Sequence, residues 1–171
     1  MNIKQATTED AQTISNIHAL SWKTAYKGLI PRQYLDELKD DFWTDAFKGW
    51  IKNNTLTAQL IYENELPVGC IAYGKSRDDK FPDWGEIVSI YLLPEYFGKG
   101  HGKVLLATAL ADMKKVGYKN VYLWVLEDNL RARNFYERNG FSWNNDKLLF
   151  EIMGKPLTDL RYNLSFDKAT V

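Results

Sequence analysis

The spacing of hydrophobic residues changes along the chain and predicts a mainly helical first part followed by strands. A short strand is predicted at 1–6, and helices are predicted at 11–26, 31–38 and 42–51, the first of which ends at Gly28 and Pro31. Strands follow at 56–62, 68–73 and 84–93, with a charged loop at 75–83 before the last of them.

The second half of the chain alternates helices with strands. A glycine-rich stretch at 97–102 leads into a predicted helix at 103–116, and a continuous apolar run at 121–125 is typical of a buried strand. A helix at 130–139 is followed by strands at 141–143, 148–152 and 160–164. This order predicts an α+β fold with a mixed sheet. Because the 171 residues contain no internal repeat or linker, we expect one domain covering 1–171.

Composition and charge limit the class of protein. Hydrophobic residues make up 45% of the chain, which is enough to bury a core. The 22 Lys and Arg balance the 22 Asp and Glu, which argues against a nucleic-acid partner. Cys70 is the only cysteine, so no intrachain disulfide can form. The chain begins without an apolar signal core and has no apolar run long enough to cross a membrane, so we expect a cytoplasmic protein with no membrane partner.

The stretch from Phe97 to Gly102, called the glycine loop below, predicts an anion site. Gly98, Gly100 and Gly102 leave backbone N–H groups uncovered, and the following helix adds the positive end of its dipole. Lys99 and Lys103 can add positive charge for a diphosphate. A loop whose glycines only make a sharp turn is the alternative. The chain has no G-x-x-x-x-G-K-S/T string, which excludes a P-loop, and a loop after the fourth strand argues against a Rossmann site.

Two segments together resemble the GNAT superfamily of N-acetyltransferases. In that family the loop reads Q/R-x-x-G-x-G/A, and a later segment reads N-x-x-A-x-x-F-Y-x-x-x-G-F. Residues 97–102 (FGKGHG) match the loop, and the later segment is matched at the family spacing by Asn129, Ala132, Phe135, Tyr136, Gly140 and Phe141. The chain departs from the pattern at Phe97, where the family usually has a polar residue that contacts the diphosphate.

The resemblance implies a fold and an activity. It implies a mostly antiparallel, splayed sheet of about seven strands flanked by helices, with the cofactor-binding core at about 84–143. It also implies acetyl-CoA as co-substrate, no metal, and direct transfer to a primary amine of a small molecule or peptide in a ternary complex; a homodimer is compatible with it. A non-catalytic acyl-CoA-binding sensor or interaction module of the same fold stays open, because Phe97 replaces the polar residue.

Two side chains are candidates for proton transfer. Tyr136 is the candidate acid, because a phenol with a pKa of about 10 is protonated at neutral pH and can donate to a departing thiolate. The resemblance assigns the same role to the matching tyrosine. Its alternative role is packing in the core. Glu86 is the candidate base, since alternation places it with Val88, Ile90 and Leu92 on one face of its strand, where apolar neighbours would raise its pKa. A solvated glutamate at the start of a strand is the alternative.

The resemblance also assigns candidates for cofactor binding. Backbone N–H groups near Ile90, Tyr91 and Leu92 are expected to contact the thioester, and Asn129 to contact the pantetheine arm or only to cap its helix. Within the glycine loop, His101 is expected to be a spacer that faces outward. Arg131 and Arg133 are either partners of the nucleotide phosphate or part of an exposed helix face.

The acceptor candidates lie on the first helix. His18, Trp22 and Tyr26 follow one another at intervals of four residues and form one stripe, which either lines an acceptor pocket or packs in the core. With two histidines and one cysteine in the chain, the sequence predicts no metal cluster.

Overall fold

The computed structural model describes residues 1–167, which form one seven-stranded sheet with helices on both faces. The strands are β1 (Asn2–Gln5), β2 (Thr57–Glu63), β3 (Leu66–Lys75), β4 (Gly85–Leu92), β5 (Asn120–Leu126), β6 (Ser142–Ile152) and β7 (Lys155–Ser165). The helices are α1 (Ala11–Ala25), α2 (Arg32–Glu37), α3 (Thr44–Lys52), α4 (His101–Val116) and α5 (Leu130–Arg138). Short 3₁₀ turns cover Thr8–Asp10 and Pro94–Tyr96.

The strand order is β1-β2-β3-β4-β5-β7-β6, and every neighbouring pair is antiparallel except β4 and β5. The parallel pair is joined only at Gly85 with Val121 and at Glu86 with Tyr122. Beyond these positions the two strands diverge. The structure therefore confirms the predicted mixed, mostly antiparallel and splayed sheet.

Helices cover the two faces of the sheet with separate apolar layers. On one face α4 and α5 contribute Leu105, Leu106 and Tyr136 to a core with Ile71 and Leu123. On the opposite face α1 and α3 pack against β2 and β3. A third apolar cluster joins α2 and the end of α1 to β5 and β7. We call the face that carries α1, α2 and α3 the acceptor face.

Several element boundaries differ from the predicted ones. The strands predicted at 141–143 and 148–152 form the single strand β6, which is irregular between Trp143 and Lys147. β7 starts at Lys155, earlier than predicted, because Met153 and Gly154 close a tight hairpin with positive φ angles of 48° and 80°. No helix within residues 1–167 is long and apolar enough to cross a membrane.

Candidate active site

A β-bulge in β4 decides which side chains face each side of the sheet. Ile87 pairs with Tyr73 and Ser89 pairs with Ala72, so Val88 is the extra residue. After the bulge Ile90 and Leu92 pack on the α4 side with Ile87. Val88 and Tyr91 pack on the acceptor face. The prediction that Glu86, Val88, Ile90 and Leu92 share one face is therefore wrong, because the bulge reverses the alternation.

The diverging strands enclose a cleft of about 610 Å³. Its walls are Ile87 to Leu92 on β4 and Leu123 to Val125 on β5. Within residues 1–167, β4 and β5 share no pairing beyond Glu86, so the strand edges that face the cleft have peptide groups without a strand partner. Such groups can bind the amides of an extended ligand.

The glycine loop forms one end of the cleft. Gly98 and Gly100 have positive φ angles of 74° and 90°, and within residues 1–167 no side chain or more distant backbone lies within 4 Å of the position that a Cβ would take at either residue. Gly100 is the N-cap of α4, and no side chain in the described part of the chain caps this helix end. The first N–H groups of α4 are therefore free to bind an anion. Lys103 lines the cleft, while the Lys99 ammonium lies 5.1 Å from the ring centre of Tyr96.

His101 does not face outward as expected. Its side chain is buried, and its Nε2 lies 2.8 Å from Oε2 of Glu63. The imidazole also packs edge-on against Tyr96. The expectation fails because the first turn of α4 packs against the end of β2, which carries Glu63. His101 therefore anchors the helix and is not among the residues that line the cleft.

The two arginines of α5 have different surroundings. The Arg131 guanidinium lies 3.9 Å from the ring centre of Phe97 and lines the cleft. Burial lowers the pKa of this guanidinium. Arg133 instead bonds the Tyr162 hydroxyl at 3.0 Å and the Glu127 carbonyl at 2.9 Å. Arg131 thus places a positive charge against the residue that replaces the family's usual polar one, whereas Arg133 holds α5 to the sheet.

Three tyrosines line the cleft. The Tyr26 and Tyr91 hydroxyls lie 3.2 Å apart, and Tyr136 is buried with no hydrogen-bond partner for its hydroxyl among residues 1–167. Burial raises the pKa of Tyr136 well above its ordinary value, and the pKa values of Tyr26 and Tyr91 are raised by the same cause. All three phenols are therefore protonated at neutral pH.

Of the predicted stripe on α1, one residue lines the cleft and the other two pack behind it. Tyr26 lines the cleft. Trp22 packs behind it with ring centres 4.8 Å apart. His18 is buried, which lowers its pKa to about 3, and its Nε2 lies 3.4 Å from the hydroxyl of Ser89. Only Tyr26 of the three reaches the cleft lining.

Glu86 lies outside the cleft lining, at the closed end of the splay. Its carboxylate accepts hydrogen bonds from the Arg77 backbone N–H at 3.1 Å, from the Arg77 guanidinium at 3.1 and 2.6 Å, and from the Tyr122 hydroxyl at 2.9 Å. The structure therefore does not bring the predicted base to the other candidates. These contacts hold the loop after β3 and strand β5 to β4, which is a structural role.

Asn129 caps α5 and also lines the cleft. Its Oδ1 accepts a hydrogen bond from the Ala132 N–H at 3.2 Å, so the predicted cap is present. The side-chain NH₂ has no hydrogen-bond partner within residues 1–167 and remains available for a ligand in the cleft.

Sequence reasoning missed two polar residues near this site. Ser89 lines the cleft on the acceptor face, where the bulge directs it. Asp159 lies on β7 and is directed to the same face of the sheet. The sequence could have indicated it, because an acidic residue between Leu157 and Leu160 is unusual in an apolar strand. Among residues 1–167, no group of three or more His, Cys, Asp or Glu is arranged to hold a metal ion.

A sequence profile described as the Acetyltransferase (GNAT) family matches residues 15–141. The chain belongs to this family. It is 30% identical over 129 residues to the uncharacterized N-acetyltransferase YuaI of Bacillus subtilis, covering 75% of this chain and 73% of that protein. It is 26% identical over 153 residues to the spermidine N(1)-acetyltransferase of Thermoplasma acidophilum, covering 82% of this chain and 88% of that protein.

The fold agrees with this assignment. The structure of the PaiA N-acetyltransferase from Thermoplasma acidophilum in complex with coenzyme A superimposes with a TM-score of 0.78 at 22% identity, over 97% of this chain and all of that one. Together, the family match and the N-acetyltransferase relatives identify this protein as an acetyl-CoA-dependent acetyltransferase.

Proposed function

We propose that this GNAT acetyltransferase moves the acetyl group of acetyl-CoA directly to a primary amine of a small molecule or peptide, within a ternary complex. The observation that carries the proposal is the cleft between β4 and β5, which has an uncapped helix N-terminus at one end and the Tyr136 hydroxyl in its wall. An amine acceptor is supported by the relative named spermidine N(1)-acetyltransferase.

In this proposal the cofactor extends through the cleft. The diphosphate binds the free N–H groups at Gly100 and the start of α4, where the helix dipole favours an anion. The pantetheine amides pair with the open strand edges and with the side-chain NH₂ of Asn129. Arg131, stacked on Phe97, supplies the positive charge that the loop's first position lacks.

The chemistry needs three proton transfers and the exchange of a carbon–sulfur bond for a carbon–nitrogen bond. The acceptor ammonium loses a proton to solvent as it enters a pocket whose aromatic walls disfavour a charge. The free amine then attacks the thioester carbon, and backbone N–H groups of β4 stabilise the oxyanion. The carbon–sulfur bond breaks, and Tyr136 protonates the departing thiolate. The phenolate recovers this proton from the newly acylated nitrogen, which leaves a neutral amide, free coenzyme A and an unchanged Tyr136.

The raised pKa of Tyr136 is compatible with this role. A thiol with an ordinary pKa near 8.5 would be a stronger acid than the buried phenol, so proton transfer would be unfavourable in water. The thiolate, however, forms in the same water-poor cleft, where burial disfavours its charge as well. The two groups therefore shift in the same direction.

Thiol release from acetyl-CoA with a panel of amines tests the proposal, with mass spectrometry of the acetylated product. We expect Tyr136→Phe to lower kcat by roughly 100-fold or more. Tyr118→Phe, which changes a tyrosine outside the cleft lining, serves as the matched control. If the protein binds coenzyme A in calorimetry but acetylates no amine in the panel, the non-catalytic sensor is the better description.

A further inference from the structure

Asp159 is a partly buried carboxylate on the acceptor face of the sheet. In the sheet it pairs with Leu126 of β5 on one side and with Leu148 of β6 on the other. Its β7 neighbour Leu160 packs on the α4 side, so alternation directs Asp159 to the opposite face. Leu157, two residues before it, packs there against the end of α1 and α2.

Two aromatic residues that line the cleft lie on the same face of the sheet as this carboxylate. Trp124, which lines the cleft, is opposite Arg161 in the β5–β7 pairing and therefore lies one step along the same face from Asp159. Tyr26 also lines the cleft, and its raised pKa results from burial and, in smaller part, from the negative charge of Asp159. Asp159 is thus close to the wall through which an acceptor reaches the thioester.

Asp159 has no hydrogen bond or ion pair from its side chain among residues 1–167. Other carboxylates around this half of the sheet have cationic partners: Glu86 with Arg77, Asp78 with Arg161, and Glu127 with Lys147. Burial without such a partner raises the pKa of Asp159 to about 6, so it is ionised at neutral pH at a cost in stability. Ionisable side chains whose pKa is shifted in this way by burial are concentrated at functional sites.

We propose that Asp159 binds a second positively charged nitrogen of the acceptor, so that the protein acetylates diamines or polyamines in preference to monoamines. This inference rests on the proposed function and adds the substrate class. An acceptor ammonium would supply the missing counter-charge, and the side chains of Tyr26 and Trp124, which line the cleft, would contact the alkyl chain between the two nitrogens.

The arrangement assigns Asp159 to the distal nitrogen and not to the reacting one. Tyr136, the proposed acid, packs on the α4 side of the sheet, whereas Asp159 is directed to the acceptor face. Tyr26 packs on the acceptor face with Leu157 and lines the same cleft as Tyr136. Tyr26 therefore lies on the carboxylate's side of the cleft. The distal nitrogen keeps its proton beside Asp159, while the reacting nitrogen loses its proton in aromatic surroundings.

Two probes of equal chain length test this inference: 1,4-diaminobutane and 1-aminobutane, each as acceptor in the thiol-release assay. We expect the wild type to prefer the diamine in kcat/KM by roughly 10- to 100-fold, the range for one charge-assisted contact. Asp159→Asn is expected to remove most of this preference by raising KM for the diamine, with little change for the monoamine. Asp36→Asn, which removes an exposed charge on α2, is the control and should keep the preference.

Folding of the variants is checked by thermal unfolding, and Asp159→Ala provides a second substitution. A wild type that uses both amines equally, or a diamine preference that survives in both Asp159 variants, would overturn the inference while leaving amine acetylation intact. Failure to acetylate the diamine at all would also overturn it. In that case, acetylation of amino acids or peptide N-termini decides separately whether the proposed function stands.

Discussion

Substituting Glu86 by Gln distinguishes a catalytic base from a structural brace. The Glu86 side chain is 3% exposed, whereas that of its partner Arg77 is 60% exposed. Breaking a fully buried ion pair costs about 3–5 kcal/mol, but water can solvate the released Arg77 and glutamine keeps one acceptor oxygen. We therefore expect Glu86→Gln to lower the free energy of unfolding by about 2 kcal/mol, which is a fall in Tm of roughly 4–8 °C for a domain of this size.

The measurement combines thermal unfolding with kinetics at a temperature where both proteins are folded. Because the carboxylate lies outside the cleft lining, kcat and KM for the amine should stay within about threefold of the wild-type values. Arg77→Ala should give a similar loss of stability, and the double variant should lose less than the sum, since both changes remove one ion pair. A loss of activity of roughly 100-fold with an unchanged Tm would refute this reasoning and restore Glu86 as the base.

Three further predictions follow from the site. Arg131→Ala should weaken acetyl-CoA binding by roughly 10- to 100-fold but leave acetyl-pantetheine, which lacks the diphosphate, unaffected in competition assays. Gly100→Ala and Gly117→Ala should each cost about 1–2 kcal/mol because both residues have positive φ, but only Gly100→Ala should raise the Kd for coenzyme A in calorimetry. Asp159→Asn should raise Tm at neutral pH; since the native pKa of about 6 exceeds the unfolded value of about 3.9, this gain should shrink as pH falls from 6 to 4 and vanish below.

The glycine loop was predictable because its geometry is local, whereas Tyr136 was expected at the site through the resemblance to the GNAT family. Glycines at 98, 100 and 102 directly before an apolar helix leave the N-terminus of that helix without a side-chain cap, and this does not depend on the rest of the fold. The order of helices and strands, read from hydrophobic spacing, was also sufficient for the α+β fold. These features depend on residues close together in sequence.

The bulge in β4 and the position of β7 were not predictable, because they depend on how the strands pair. A single extra residue at Val88 moves Ser89 to the acceptor face and separates Glu86 from Ile90 and Leu92. The position of Asp159 requires β7 to lie between β5 and β6, although it follows both in sequence. No short-range pattern in the chain encodes either the bulge or this strand order.

A cluster of side-chain contacts lies at the closed end of the splayed strands. Arg161 is buried, forms an ion pair with Asp78 at 2.6 Å, and stacks within 4.9 Å of the rings of Phe81, Tyr122 and Trp124. It therefore ties the loop after β3 to β5 at the point where β4 and β5 separate. Because Glu86 and Tyr122 form the last pair of those strands and also a hydrogen bond, the same cluster that closes one end keeps the cleft shaped before any cofactor binds. Preorganisation of this kind lowers the cost of binding, since in the proposed binding mode the strand edges need not separate to admit the pantetheine.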